Sequence, residues 1–154
     1  LMFYRFDYEA EFYPDLRRVP LHVRMKLDLA GIKISLNDWL SFSLEERTLL
    51  CHVPVDSVEE RRAFAAYLHF LSQKYRGAPA ATTETVDPAL WGQMQIPAPV
   101  QQKSAACASA VTIGEWAAWQ AHERYGLYKT AISQSQPEAF EQVLRQLRDG
   151  KKND

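Results

Sequence analysis

Cysteine is scarce in this sequence. Cys51 and Cys107 are the two thiols, and neither belongs to a paired-spacing motif. That is the thiol usage of a reducing compartment, and it leaves no disulfide framework to organise the fold. The four histidines, His22, His52, His69 and His122, form no i, i+3 or i+4 pair with another His or Cys. Cys51 and His52 are neighbours, but adjacent residues point to different sides of a helix, so a shared metal finds no support. The six glycines are scattered, with no phosphate-binding loop, no G-x-S-x-G and no H-E-x-x-H, and nothing asks for a cofactor. No apolar run reaches the ~18 residues of a membrane span, and the opening LMFYRFDYEAEF is too acidic for a signal peptide. The expected location is therefore cytoplasmic, with no membrane partner.

Excess charge is missing too. The net charge is -1, and residues 1–77 carry eleven Lys+Arg against eleven Asp+Glu. The basic set Arg17, Arg18, His22, Arg24 and Lys26 is diluted by Asp15 and Asp28, so nucleic acid is not an expected partner. What the chain does have is apolar side chains, 47% of its 154 residues, with four Trp, seven Tyr and seven Phe. A chain of that size and composition builds a packed core without a staple.

The sequence also repeats itself. ISLNDWLSFSLEER, from Ile34 to Arg47, is answered by VTIGEWAAWQAHER, from Val111 to Arg124. A gap-free comparison of Val19–Cys51 with Ile96–Tyr128 keeps Pro20/Pro97, Val23/Val100, Lys26/Lys103, Trp39/Trp116, Glu46/Glu123, Arg47/Arg124 and Leu50/Leu127. Chance would leave about two identities in such a window, so the pattern is that of a degenerate internal repeat.

Each copy reads as helical. Pro20 suits the first turn of a helix that runs to Ala30 and stops at Gly31. Ser35 to Asp38 and Thr112 to Glu115 are capping boxes opening short helices that carry Trp39 and Trp116. Ser43 to Glu46 is a third box, whereas Gln120 to Glu123 keeps the acid and loses the good N-cap. Longer helices follow over 57–75 and 137–148, with apolar stripes Phe64/Tyr67/Leu68/Leu71 and Phe140/Val143/Leu144/Leu147. Phe6, Tyr8, Ala10 and Phe12 alternate with Asp7, Glu9 and Glu11, the period of an extended arm laid over an apolar surface. The expected architecture is all-α: a single domain over 1–148, with an arm (1–18), repeat one (19–76), a linker (77–95) pinned by Trp91 and repeat two (96–148). A disordered tail (149–154) follows.

The duplicated Glu46-Arg47 and Glu123-Arg124 read as structure rather than acid/base chemistry. Arg47 is expected to pair with Asp38, and Arg124 with Glu115, fastening the short helices of each copy. Trp39 and Trp116 are expected to be core anchors. The first helix carries two apolar stripes, Val23/Leu27/Ala30 and Leu21/Met25/Leu29, separated by His22/Lys26 and Arg24/Asp28; the second copy lacks the bulk of the latter stripe. A surface present in one copy only suits a single-copy function, so Arg17, Arg18, Leu21, Arg24 and Met25 are the candidate partner-binding residues.

The stretch FDYEAEFYPDLRRVPLHVRMKLDLAGIKISLNDWLSFSLEER, Phe6 to Arg47, resembles the conserved nitrate reductase-associated protein family. The likeness lies in the aromatic-acidic opening, the VP-x-x-VR-x-KLD-x-x-GIK run and the W-x-x-F-S-x-EER close, and extends to IPAPVQQK. It implies a non-catalytic accessory or maturation protein acting with nitrate reductase, the molybdopterin and iron-sulfur enzyme that reduces nitrate to nitrite. It supplies no catalytic, cofactor-binding or metal-binding residues. The alternative function is a small-molecule sensor of nitrogen assimilation, with a ligand between the repeats contacted by Arg24, Lys26 and Lys103.

Overall fold

The computed structural model describes residues 3–152, and the chain is mostly helical. The described residues form two compact units, one made of 3–5 and 9–87 and the other of 6–8 and 88–152.

In the first unit α1 (Leu21–Ala30) begins after Pro20 and ends at Gly31, whose φ of 72° favours glycine and where a β-carbon would also lie 2.8 Å from the backbone oxygen of Thr83. The next two residues, β1 (Ile32–Lys33), pair antiparallel with β2 (Ala81–Thr82). Thr83 N–H donates to Gly31 O and Val86 N–H to Asp28 O, so this part of the linker is stitched to α1 and its C-cap. α2 (Leu36–Ser41), α3 (Leu44–His52) and α4 (Val58–Arg76) follow. Each opens on a closed capping box, set by Ser35/Asp38, Ser43/Glu46 and Ser57/Glu60. Trp39, Phe42, Leu50, Phe64, Leu68 and Leu71 make the core.

The second unit runs α5 (Ala98–Cys107), α6 (Ile113–Ala118), α7 (Ala121–Ile132) and α8 (Pro137–Lys152). Thr112/Glu115 closes a capping box, and the Glu123 carboxylate accepts from Gln120 N–H at 2.8 Å. Its core joins Trp91, Trp116, Trp119, Tyr125, Leu127, Phe140, Val143, Leu144 and Leu147. Trp91 is buried with them, edge-on to Tyr125.

Two expectations are corrected. The N-terminal segment is not extended: Asp7–Glu9 is a turn of 3-10 helix and the chain curls on to Leu16. Its buried residues are Phe3, Phe6, Glu9, Phe12 and Leu16, a spacing of about three rather than two, which is the 3-10 period. Residues 149–152, expected to be disordered, continue α8, while Asn153 and Asp154 lie outside the described residues.

Candidate functional site

The curl of the N-terminal segment follows from what Glu9 does. Pro20 offers no capping side chain at the start of α1, and Glu9 takes that role from eleven residues upstream. Its two carboxylate oxygens accept from Leu21 N–H at 2.9 and 3.2 Å, and one accepts from Tyr13 Oη at 2.8 Å. Glu9 is 3% exposed, and burial pushes its pKa up to about 7 against the downward pull of Tyr13, the Leu21 N–H and the Arg24 charge. It does not face away from the fold, as strand alternation would have had it.

Around Glu9 the surface is aromatic and mixed in charge, with Glu11 and Asp15 exposed beside Arg17. The Arg5 guanidinium lies 5.3 Å from the Phe3 ring centroid and 5.4 Å from that of Tyr13. Tyr4 N–H donates to His22 Nδ1 at 3.1 Å. Arg17, Arg18 and Arg24 are exposed and Met25 is half-buried. Arg17 is held by Glu11 at 3.4 Å and Asp15 at 3.5 Å, and Arg24 Nε donates to Val19 O at 3.3 Å. Leu21, expected on this surface, is buried, since α1 enters the fold along that side and Glu9 binds its N–H. Of the candidate residues Arg17, Arg18 and Arg24 are exposed and Met25 half-buried, and Arg5, Tyr4 and Tyr13 of the N-terminal segment are likewise exposed or half-buried. Arg5 and Tyr13 were not legible, because both come to α1 only through the 3-10 curl.

Lys26 is the larger surprise. Although it lies between the two apolar stripes of α1, it is 1% exposed, and its ammonium donates to the carbonyls of Cys51 (2.5 Å), Val53 (2.7 Å) and Leu50 (3.4 Å). It caps the C-terminus of α3, where unpaired carbonyls and the helix dipole both favour a cation. Burial lowers its pKa to about 8 against the opposing pull of Cys51 and Asp56, so it stays charged at neutral pH. A lysine so committed is not available to a ligand, which removes Lys26 from the sensor site. Cys51 beside it is fully buried, and desolvation pushes its thiol up to about 12, which makes it unreactive.

The repeated arginines do not pair as expected. Arg47 Nη1 donates to Leu16 O at 3.3 Å, the carbonyl that also accepts Trp39 Nε1 at 2.7 Å. Leu16 takes φ 49° there, a left-handed conformation costing a non-glycine residue about 1–2 kcal/mol. In the second unit Trp116 Nε1 donates to Gly92 O at 2.7 Å, and Arg124 donates to Trp91 O at 2.7 Å and to Trp119 O. The carboxylates instead serve the far ends of the long helices: Asp38 pairs with Arg76 at 3.1 Å and Glu115 with Arg148 at 2.9 Å. Each guanidinium lies beside a buried indole and answers loop carbonyls that no helix bond satisfies, while the half-buried Asp38 and Glu115 carboxylates already close capping boxes. Trp39 and Trp116 are both fully buried.

Glu46 is not poised for proton transfer. Burial would raise its pKa, but bonds from Ser43 N–H (2.7 Å), Tyr75 Oη (2.7 Å) and Lys74 Nζ (3.0 Å) outweigh it and hold the carboxyl at about 2. Among the described residues no group of three or more His, Cys, Asp or Glu is placed to hold a metal ion, and no helix is long and apolar enough to cross a membrane. What the N-terminal surface offers is arginine and aromatic area, the composition of a protein contact. Residues 5–147 match the family model described as conserved nitrate reductase-associated protein, a description of association with a reductase rather than of a reductase. No curated protein and no solved structure matches the chain.

Proposed function

We propose that this chain, which belongs to the conserved nitrate reductase-associated protein family, works by binding the catalytic subunit of a cytoplasmic assimilatory nitrate reductase and supporting its activity or maturation, with no turnover of its own. The match over residues 5–147 carries this reading. The arginine-aromatic surface at the N-terminus of α1 supports it: Arg18 and Arg24 are exposed, and Met25 adds flexible apolar area. The test is affinity capture of the tagged chain from cells grown on nitrate, with the reductase measured in the eluate. Recovery of the reductase, reduced by Arg18→Glu or Arg24→Glu more than by Lys103→Glu in folded variants, is expected. Absence of the reductase from the eluate, with nitrate reduction unchanged in a strain lacking this chain, would overturn the reading.

A further inference from the structure

The first turn of α1 has no fastening of its own. Pro20 stands at the N-cap with no side-chain bond, so the N–H groups that open the helix need acceptors from elsewhere. The N-terminal segment of the same unit answers with two bonds that run in opposite directions. Glu9 brings its carboxylate to α1 and accepts from Leu21 N–H at 2.9 and 3.2 Å. The next helix residue, His22, brings its imidazole to the segment, where Nδ1 accepts from Tyr4 N–H at 3.1 Å. Both acceptors are buried, Glu9 at 3% and His22 at 4% exposure. The Phe3 ring stacks on His22 at 6.3 Å and meets His52 of α3 edge-on at 5.6 Å, while the Tyr4 ring meets His22 edge-on at 5.0 Å.

The two acceptors respond to protons in opposite senses. Glu9 makes no ion pair among the described residues. Tyr13 donates its hydroxyl to it, Arg24 of α1 and Cys51 of α3 lie within electrostatic reach, and Arg5 and Lys26 lie within reach of Cys51. Ionising Glu9 therefore leaves a desolvated charge with donors but no cation in contact, and its carboxyl holds its proton up to about 7. For His22 the hydrogen bond sets the rule. Nδ1 accepts only while it carries no proton, and protonation would set an N–H against the Tyr4 N–H.

We infer that the N-terminal segment is a proton-gated clasp on α1, its Glu9 fastening closed while the carboxyl is protonated and its His22 fastening closed while Nδ1 is bare. Alkali loosens the first and acid the second. The clasp is a property of the first unit alone, whichever partner the chain binds.

Amide hydrogen exchange of the full chain, read by NMR and corrected for the pH dependence of the intrinsic rate, tests both fastenings. Protection at Leu21 should fall about thirtyfold between about pH 5.5 and about pH 8, the change that a carboxyl moved from 4.5 to about 7 imposes, and Glu9→Gln should flatten that profile. Protection at Tyr4 should instead fall about tenfold as pH is lowered toward about 4, the worth of one buried bond left unmade. His22→Gln keeps an acceptor and cannot take a proton, so it should flatten the acid limb. Leu68, in the core of α4, should keep its protection throughout, which separates opening of the clasp from unfolding. Equal Leu21 protection at both pH values, or an alkaline loss that persists in Glu9→Gln, would overturn the inference. So would loss at Leu68 in step with Leu21. If a variant fails to fold, the wild-type slopes decide, because parallel slopes at Leu21 and Tyr4 contradict a clasp with opposed gates. No outcome here bears on capture of the reductase, and failure of capture leaves the exchange profiles untouched.

Discussion

Glu9→Gln should stabilise the protein at neutral pH and leave it nearly unchanged in mild acid. The Glu9 carboxyl goes from an ordinary 4.5 to about 7 on folding. A group whose pKa is raised by folding contributes stability that is full below its unfolded value and is lost as pH climbs through the folded one. The shift is worth about 3 kcal/mol at about 1.4 kcal/mol per pH unit. Glutamine keeps an oxygen for the Leu21 N–H and the Tyr13 hydroxyl but cannot ionise, so the variant escapes that loss. Urea unfolding at about pH 4.5 and about pH 7.5 measures it: the variant minus wild-type difference should move in the variant's favour by about 3 kcal/mol between the two. His122 titrates in the same window in the opposite sense, and taking the difference removes it. Glu9→Ala, by contrast, strips the buried Leu21 N–H of its acceptor and should cost about 1–3 kcal/mol at both pH values. Parallel pH profiles for wild type and Glu9→Gln would refute the argument, and would mean that the helix-capping bonds hold the carboxylate ionised at no net cost.

Arg124→Ala should cost about 3 kcal/mol or more, because Arg124 is 7% exposed and holds two carbonyls, and Arg47→Ala about 1 kcal/mol, for a half-buried group with one bond at 3.3 Å; equal losses in thermal or urea unfolding would contradict this. Lys26→Met leaves the Leu50, Cys51 and Val53 carbonyls without their donor and should lose about 2–4 kcal/mol. A melting point at or above wild type would show that desolvation of the ammonium outweighs its bonds. Burial, with Arg124 adding to it, lowers the His122 pKa to about 4, so its contribution is present above about pH 6.5 and lost as pH falls through the folded value. An NMR titration should show a neutral imidazole down to about pH 5, and a midpoint near 6.5 would refute the burial argument. Ser35→Ala and Thr112→Ala should each cost about 1 kcal/mol and add in the double variant, as independent caps do.

Much of this chain is written locally. The capping boxes at Ser35, Ser43 and Thr112 need only a hydroxyl and a carboxylate three residues apart, and the stop at Gly31 needs only the absence of a β-carbon, so helix starts and stops could be read before any packing was known. The stripes on α4 and α8, and the burial of Trp39, Trp116 and Trp91, follow from helical period and apolar area in the same way. The family likeness was legible for the same reason, since its motifs lie along these helices.

Tertiary structure decided which partner each charge would take. Glu9 is eleven residues from the Pro20 cap position it serves, and Lys26 is about twenty-five from the carbonyls it binds, so neither contact falls within the turn or two that local spacing governs. Arg47 and Arg124 looked like partners of nearby acids because local spacing permits it. In the fold, Leu16, Trp91 and Trp119 present carbonyls with fewer alternatives, while Asp38 and Glu115 are left to Arg76 and Arg148. The 3-10 curl of residues 7–9 was likewise out of reach, for its buried period of about three appears only once Glu9 has an N–H to bind. Sequence fixes what a residue can do within a turn or two of itself; desolvation, which sets the worth of a charge, depends on what the rest of the chain brings over it.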